Sequence, residues 1–192
     1  MINLYKYHDD PESLDHHADA HKIAAPLAWD HGNDTGEWHE AALAKNASYS
    51  YKYAYSILRR KPFPAGEEAI SKDPHYAQAY ARHVLGRPWK KGEDAIFSNA
   101  EAALNYAKYV LKKRNARAEK IISTDTARAF QYARDVIGGP FKLGEPAIAK
   151  HTEFSFKYAR DILDARFKLG EPAIAKEYNY AEVYNQIFKT KI

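Results

Sequence analysis

Phe141-Lys142-Leu143-Gly144-Glu145-Pro146-Ala147-Ile148-Ala149-Lys150 returns, 26 residues later, as Phe167-Lys168-Leu169-Gly170-Glu171-Pro172-Ala173-Ile174-Ala175-Lys176. Self-similarity at a fixed period is the signature of a repeat array, and it decides the fold before any propensity argument is needed. The period runs well beyond these two segments. Tyr80-Ala81, Tyr106-Ala107, Tyr132-Ala133 and Tyr158-Ala159 are spaced by 26, and Tyr53-Ala54 precedes the first by 27. Each pair leads into two aliphatic residues: Ile57-Leu58, Val84-Leu85, Val110-Leu111, Val136-Ile137 and Ile162-Leu163. Glu67, Glu93, Glu119, Glu145 and Glu171 keep the same period, and three residues beyond them stand Ile70, Ile96, Ile122, Ile148 and Ile174.

Each repeat reads as two helices. In one copy the first helix is expected from Thr126 to Ile137, because Phe130, Ala133, Val136 and Ile137 share one face at helical spacing. Asp73, Asn99 and Asp125 stand where a side-chain oxygen can accept from the free N–H groups of a first turn, and Pro74 suits the position after a cap. Gly86-Arg87-Pro88 and Gly138-Gly139-Pro140 are stop signals. The second helix is short, expected from Glu145 to Lys150, with its acid facing the positive end of the peptide dipoles. The aromatic before it (Phe63, Trp89, Phe141, Phe167) is expected to plug the gap between neighbouring repeats. One copy departs, with Asn115 in the aromatic position and Ala118 in the glycine position, which predicts a tighter and more continuously helical joint.

A single helix pair cannot bury its apolar face, so the copies must stack. The expected fold is all-α, a right-handed α-solenoid of about five 26-residue two-helix repeats over residues 37–192. A half-repeat closes each end: Glu40 to Lys45 matches a second helix, and Tyr178 to Phe188 matches a first helix. Residues 1–36 form a non-repeat N-terminal head.

Composition narrows function. The absence of Cys excludes disulfides, thiolate zinc sites and Cys nucleophiles. There is no Gly-rich phosphate loop, nucleophile elbow or dinucleotide fingerprint. No apolar run reaches the ~18 residues of a membrane span, and Met1-Ile2-Asn3-Leu4-Tyr5 opens no signal peptide, so a cytoplasmic protein without a membrane partner is expected. Charge is uneven: residues 1–40 carry seven negative charges in excess and residues 41–192 eleven positive ones. Such asymmetry favours an acidic or polyanionic partner.

Several residue sets could bind or react. The Glu column, begun by Glu40, and the Tyr column, ended by Tyr184, recur in every copy. Features repeated in every copy are expected to be architectural. Arg82, Lys108, Arg134 and Arg160 follow the tyrosines by two residues and would form one basic line, suited to nucleic acid or an acidic protein. Asp135 and Asp161 stand beside two of them. Arg59-Arg60-Lys61 and Lys112-Lys113-Arg114 sit at expected helix ends. Tyr49, Tyr51, Tyr55 and Tyr76 are candidate exposed anchors for a protein partner. In the head, His17 and His21 lie four apart and with nearby aspartates could hold a divalent metal, the one place where enzyme chemistry could hide; otherwise no cofactor is expected.

The unit Tyr-Ala-x-x-Val/Ile-Leu, Gly-Pro-Phe, Gly-Glu-x-Ala-Ile resembles short helical repeats in uncharacterised accessory proteins of tailed bacteriophages, over about residues 37–190. The resemblance implies a non-enzymatic scaffold in the host cytoplasm that binds and inhibits or redirects a host protein, a defence factor among the candidates.

Overall fold

The computed structural model describes residues 40–192 other than Ala42. Among these residues all regular structure is helical and no strand occurs. The chain divides into two compact units between Ile96 and Phe97, at the end of a short second helix, so each unit holds whole helix pairs.

The helix expected over Thr126–Ile137 is found with those bounds, in two parts. Thr126–Tyr132 is α-helical and Ala133–Ile137 widens into a π turn. The same widening ends the helices that begin at Ala47, Pro74, Ala100 and Thr152. Nothing in the apolar spacing announces it. The closure is left-handed: Gly86 at φ 63° and Gly138 at φ 66° occupy a region that costs glycine nothing. At Gly138 the next N–H, from Gly139, turns back onto the Ala133 carbonyl at 3.1 Å.

The starts follow the capping signals. Asp73 accepts from the N–H groups of His75 and Tyr76 at 2.9 Å each. Asn99 accepts from those of Glu101 and Ala102 at 3.0 Å, and Asp125 from that of Arg128 at 2.9 Å. The second helices are shorter than expected. Glu145–Ile148 stops before Ala149 and Lys150, which bend through a turn into the extended residue His151. The deviant copy carries the longer helix Ala116–Ile122, capped by Asn115, as its missing glycine and aromatic predict. The last helix, Tyr178–Phe188, has the expected bounds and stays α-helical throughout.

The aromatic before each second helix packs on the tyrosine of its own repeat. Phe141 packs against Tyr132 of its own repeat at 5.1 Å, and Phe167 against Tyr158 at 5.0 Å. Phe63 on Tyr53 and Trp89 on Tyr80 repeat the arrangement at 5.0 and 5.1 Å. The ring is the floor of its own helix pair, and a hydrogen-bonding group joins one repeat to the next.

That group is the tyrosine hydroxyl. Tyr158 Oη accepts from the Phe141 N–H at 2.7 Å and donates to Glu145 Oε1 at 3.1 Å, both in the preceding repeat. Tyr80 does the same with Phe63 and Glu67, Tyr132 with Asn115 and Glu119, and Tyr184 with Phe167 and Glu171. The rings of Tyr80, Tyr106, Tyr132, Tyr158 and Tyr184 are fully buried. Burial pushes the Tyr80, Tyr132 and Tyr184 phenols up to about 12, so the hydroxyls stay neutral donors.

Candidate functional site

The repeated acids and tyrosines are consumed by this clasp. Arg114 grips Glu119 with two nitrogens at 2.7 and 3.1 Å, and Arg166 grips Glu171 at 2.7 and 2.9 Å. Those guanidiniums are the first cause holding both carboxyls below the ordinary glutamate range. The buried tyrosine faces leave no platform on which a base could stack.

The basic column is met by carboxylates in the second unit. Arg134 holds Asp135 through Nε and an Nη at 2.6 and 3.2 Å, and Lys108 reaches the same Asp135 from the preceding repeat at 2.8 Å. Arg160 clamps Asp161 in the same way. The expected line of positive charge is here a ladder of ion pairs. A guanidinium so engaged has fewer donors left for phosphate. Asp135 is pushed down to about 2 from an ordinary 3.8, with the Arg134 hydrogen bond as the first cause and Lys108 adding to it.

A folded pKa below the unfolded one stabilises above the unfolded value, and that share is lost as pH falls through the folded value. Stability is therefore expected to drop between about pH 4 and pH 2, with Asp135 supplying on the order of 1 kcal/mol after screening at a half-exposed arginine. Acid unfolding followed by circular dichroism should show Asp135→Asn with lower stability at neutral pH and a flatter acid limb. An unchanged acid limb would remove Asp135 from the account.

The first unit departs from this pattern. In the register of Arg134-Asp135 it has Tyr55-Ser56 and then Arg82-His83. Around these positions a cluster forms. Tyr51 and Tyr55, one turn apart, stack with centroids 5.8 Å apart and an interplanar angle of 25°. Tyr76 of the next helix lies 5.8 Å from Tyr51. His83 meets Tyr55 edge-on at 6.0 Å. The Arg60 guanidinium lies 5.0 Å over the Tyr55 ring and donates to its hydroxyl at 3.1 Å. Burial is the first cause raising the Tyr51 phenol and lowering the His83 imidazole. Both groups also feel Arg60 and Arg82.

Sequence reasoning named three of these residues as partner anchors. Tyr51, Tyr55 and Tyr76 come together, half-buried where full exposure was expected, because each ring shields its neighbour. Tyr49 does not join them: two positions before Tyr51, it is carried ~200° around the helix. Arg60 was named only in the basic run Arg59-Arg60-Lys61, without its place on the Tyr55 ring, and His83 was missed. The available signal was the spacing of 27 between Tyr53 and Tyr80. The extra residue lies before Phe63, and the chain absorbs it by placing Arg59 at φ 54° and Arg60 at φ 64°. Consecutive left-handed residues that are not glycine are strained, and such strain gathers at functional sites.

His17 and His21 lie outside the described residues. Among the described residues no group of three His, Asp or Glu side chains could hold a metal ion, and no helix is long and apolar enough to cross a membrane. Comparison with protein-family models, curated proteins and solved structures returned no match.

Proposed function

We propose that the protein is a non-enzymatic helical-repeat scaffold that binds another protein through the cluster of Tyr51, Tyr55 and Tyr76. The observation that carries this reading is the break in the repeat rule. Where two later copies place an Arg-Asp ion pair, the first unit presents stacked tyrosines capped by an arginine held in strained backbone. Tyr and Arg are frequent anchors of protein interfaces, and Tyr buries much area while fixing only two side-chain torsions. The use of the repeated acids and phenols in structural clasps supports a scaffold over a catalyst. The resemblance to phage repeats makes a host protein the partner to seek. Nucleic acid is the less favoured ligand, because Lys108, Arg134 and Arg160 are engaged by Asp135 and Asp161.

The test is capture of partners by the tagged full-length chain from bacterial lysate, with nuclease present. One protein retained in stoichiometric amount is expected. Tyr55→Ala should weaken its binding by about thirty-fold, as loss of a hot spot does. Arg160→Gln should leave it unchanged. Recovery that collapses under nuclease, or that ignores Tyr55, would overturn the proposal.

A further inference from the structure

We propose a second docking surface, in the second compact unit: Lys142, Leu143 and Lys150, with their copies Lys168, Leu169 and Lys176, bind an acidic amphipathic helix of a partner protein. The surface uses no residue of the tyrosine cluster, so it stands or falls apart from the function proposed above.

Two adjacent copies differ unevenly along their length. Residues 125–150 and 151–176 are successive repeats. Between positions 125–140 and 151–166, ten of sixteen residues differ. Between positions 141–150 and 167–176, none differs. Burial explains part of that identity, because stacking fixes residues such as Phe141 and Ile148. It does not explain the rest: Lys142, Leu143 and Lys150 are exposed, and so are their three counterparts. On the first helices, by contrast, residues outside the core change between the same two copies, Arg128 to Phe154 and Gln131 to Lys157.

The fold does not ask for leucine at this position. The first unit has Ala65 and Lys91 there. Leu143 and Leu169 are each 54% exposed, so each leaves apolar area in water that a partner could cover. The charge around them is positive. Lys150, Lys168 and Lys176 form no ion pair among the described residues, and Lys142 pairs with Glu145 at 3.0 Å. Glu145 and Glu171, the acids of these segments, are turned inward to the hydroxyls of Tyr158 and Tyr184. The exposed acid nearest in sequence is Glu177, at the border with the last helix.

Spacing selects the form of the partner. Packed helices lie about 10 Å apart, which sets the step from one copy to the next. Seven residues of an α-helix rise about 10.5 Å. A helix with apolar residues seven apart therefore sets one on Leu143 and the next on Leu169, with flanking acids toward the lysines. An extended segment has no strand edge to join, since no strand occurs among the described residues. A lipid surface has no period to match the two leucines.

The experiment is selection on the immobilised full-length chain from a display library of single helices with randomised faces. Recovered peptides are synthesised and titrated by fluorescence anisotropy, and vesicles containing phosphatidylserine are tested beside them by co-sedimentation. Acidic helices with apolar residues seven apart are expected, with affinity that falls as salt rises. Leu143→Ala and Leu169→Ala should each weaken binding by about ten-fold. Their thermal melts should match the parent, since Ala65 fills the same position in another copy. Lys150→Gln combined with Lys176→Gln should flatten the salt dependence. Helices that need both leucines but carry no excess acid would overturn the acidic partner. Vesicle binding that needs the leucines would overturn the partner helix in favour of a lipid surface. Recovery of no helix that loses affinity in Leu143→Ala and Leu169→Ala would overturn the proposal outright. None of these outcomes bears on the tyrosine cluster, whose own test is Tyr55→Ala against a captured partner.

Discussion

Tyr158→Ala is expected to destabilise the second unit by about 4 kcal/mol or more, the largest loss from any single truncation considered. Removing a fully buried aromatic side chain leaves a cavity worth about 3–5 kcal/mol. The hydroxyl goes as well, so the Phe141 N–H and Glu145 lose the partner that joins them across the repeat boundary. Tyr158→Phe isolates that second part. It keeps the ring against Phe167 and deletes the clasp, and should cost about 1–3 kcal/mol, the penalty for a buried donor left unpaired. Denaturant unfolding measures both, and hydrogen exchange locates them. Because repeat arrays are held by nearest-neighbour terms, the Phe141 amide should exchange faster in Tyr158→Phe, while amides in the last helix, Tyr178–Phe188, change less. A Tyr158→Phe protein as stable as the parent would show that the clasp is spectator geometry.

The second large effect is expected at Gly144. A Cβ built there would lie 2.4 Å from Phe141 Cδ1 and 2.8 Å from the Ala129 Cβ. Neither atom can give way, since the ring is buried against Tyr132 and the methyl is fixed to the helix backbone. Gly144→Ala should therefore cost about 2–3 kcal/mol through overpacking, despite the higher helix propensity of alanine. Gly139→Ala is the control. Nothing lies within 4 Å of a Cβ at that site, so its effect should stay within about 0.5 kcal/mol. Equal losses in the two variants, read from thermal melts, would mean that close approach to Phe141 is not why Gly144 is needed.

These two sites show how much was legible in the sequence. The period marked Tyr158 and Gly144 as structural, and the caps at Asp73, Asn99 and Asp125 appear where short polar side chains precede apolar faces. Burial of the Tyr and Ile columns also follows from spacing, since the positions that recur must be those that stack. The π turn was not legible, because the apolar face is compatible with ordinary helix to its end. The packing of the aromatic on its own repeat's tyrosine was not legible for a related reason. Spacing says that Phe141 is buried, but which neighbour it touches depends on how the chain turns at Gly138 and Gly144.

The candidate site divides in the same way. Tyr51, Tyr55 and Tyr76 were visible as aromatics beyond the repeat pattern, but their union with Arg60 and His83 was not. The sequence by itself determined the period, the helical class, the starts and stops, and the columns bound for the core. All of these depend on bonds and spacings within a few residues, where helix geometry admits little choice. Tertiary structure alone decided that Tyr158 clasps residues 13 and 17 positions away, and that Lys108 spends its charge on Asp135, 27 positions on. It also decided that Arg60 caps a stacked pair of rings. Hydrogen bonds, ion pairs and ring contacts act over a few ångströms, and only packing brings residues so far apart in the chain to that range.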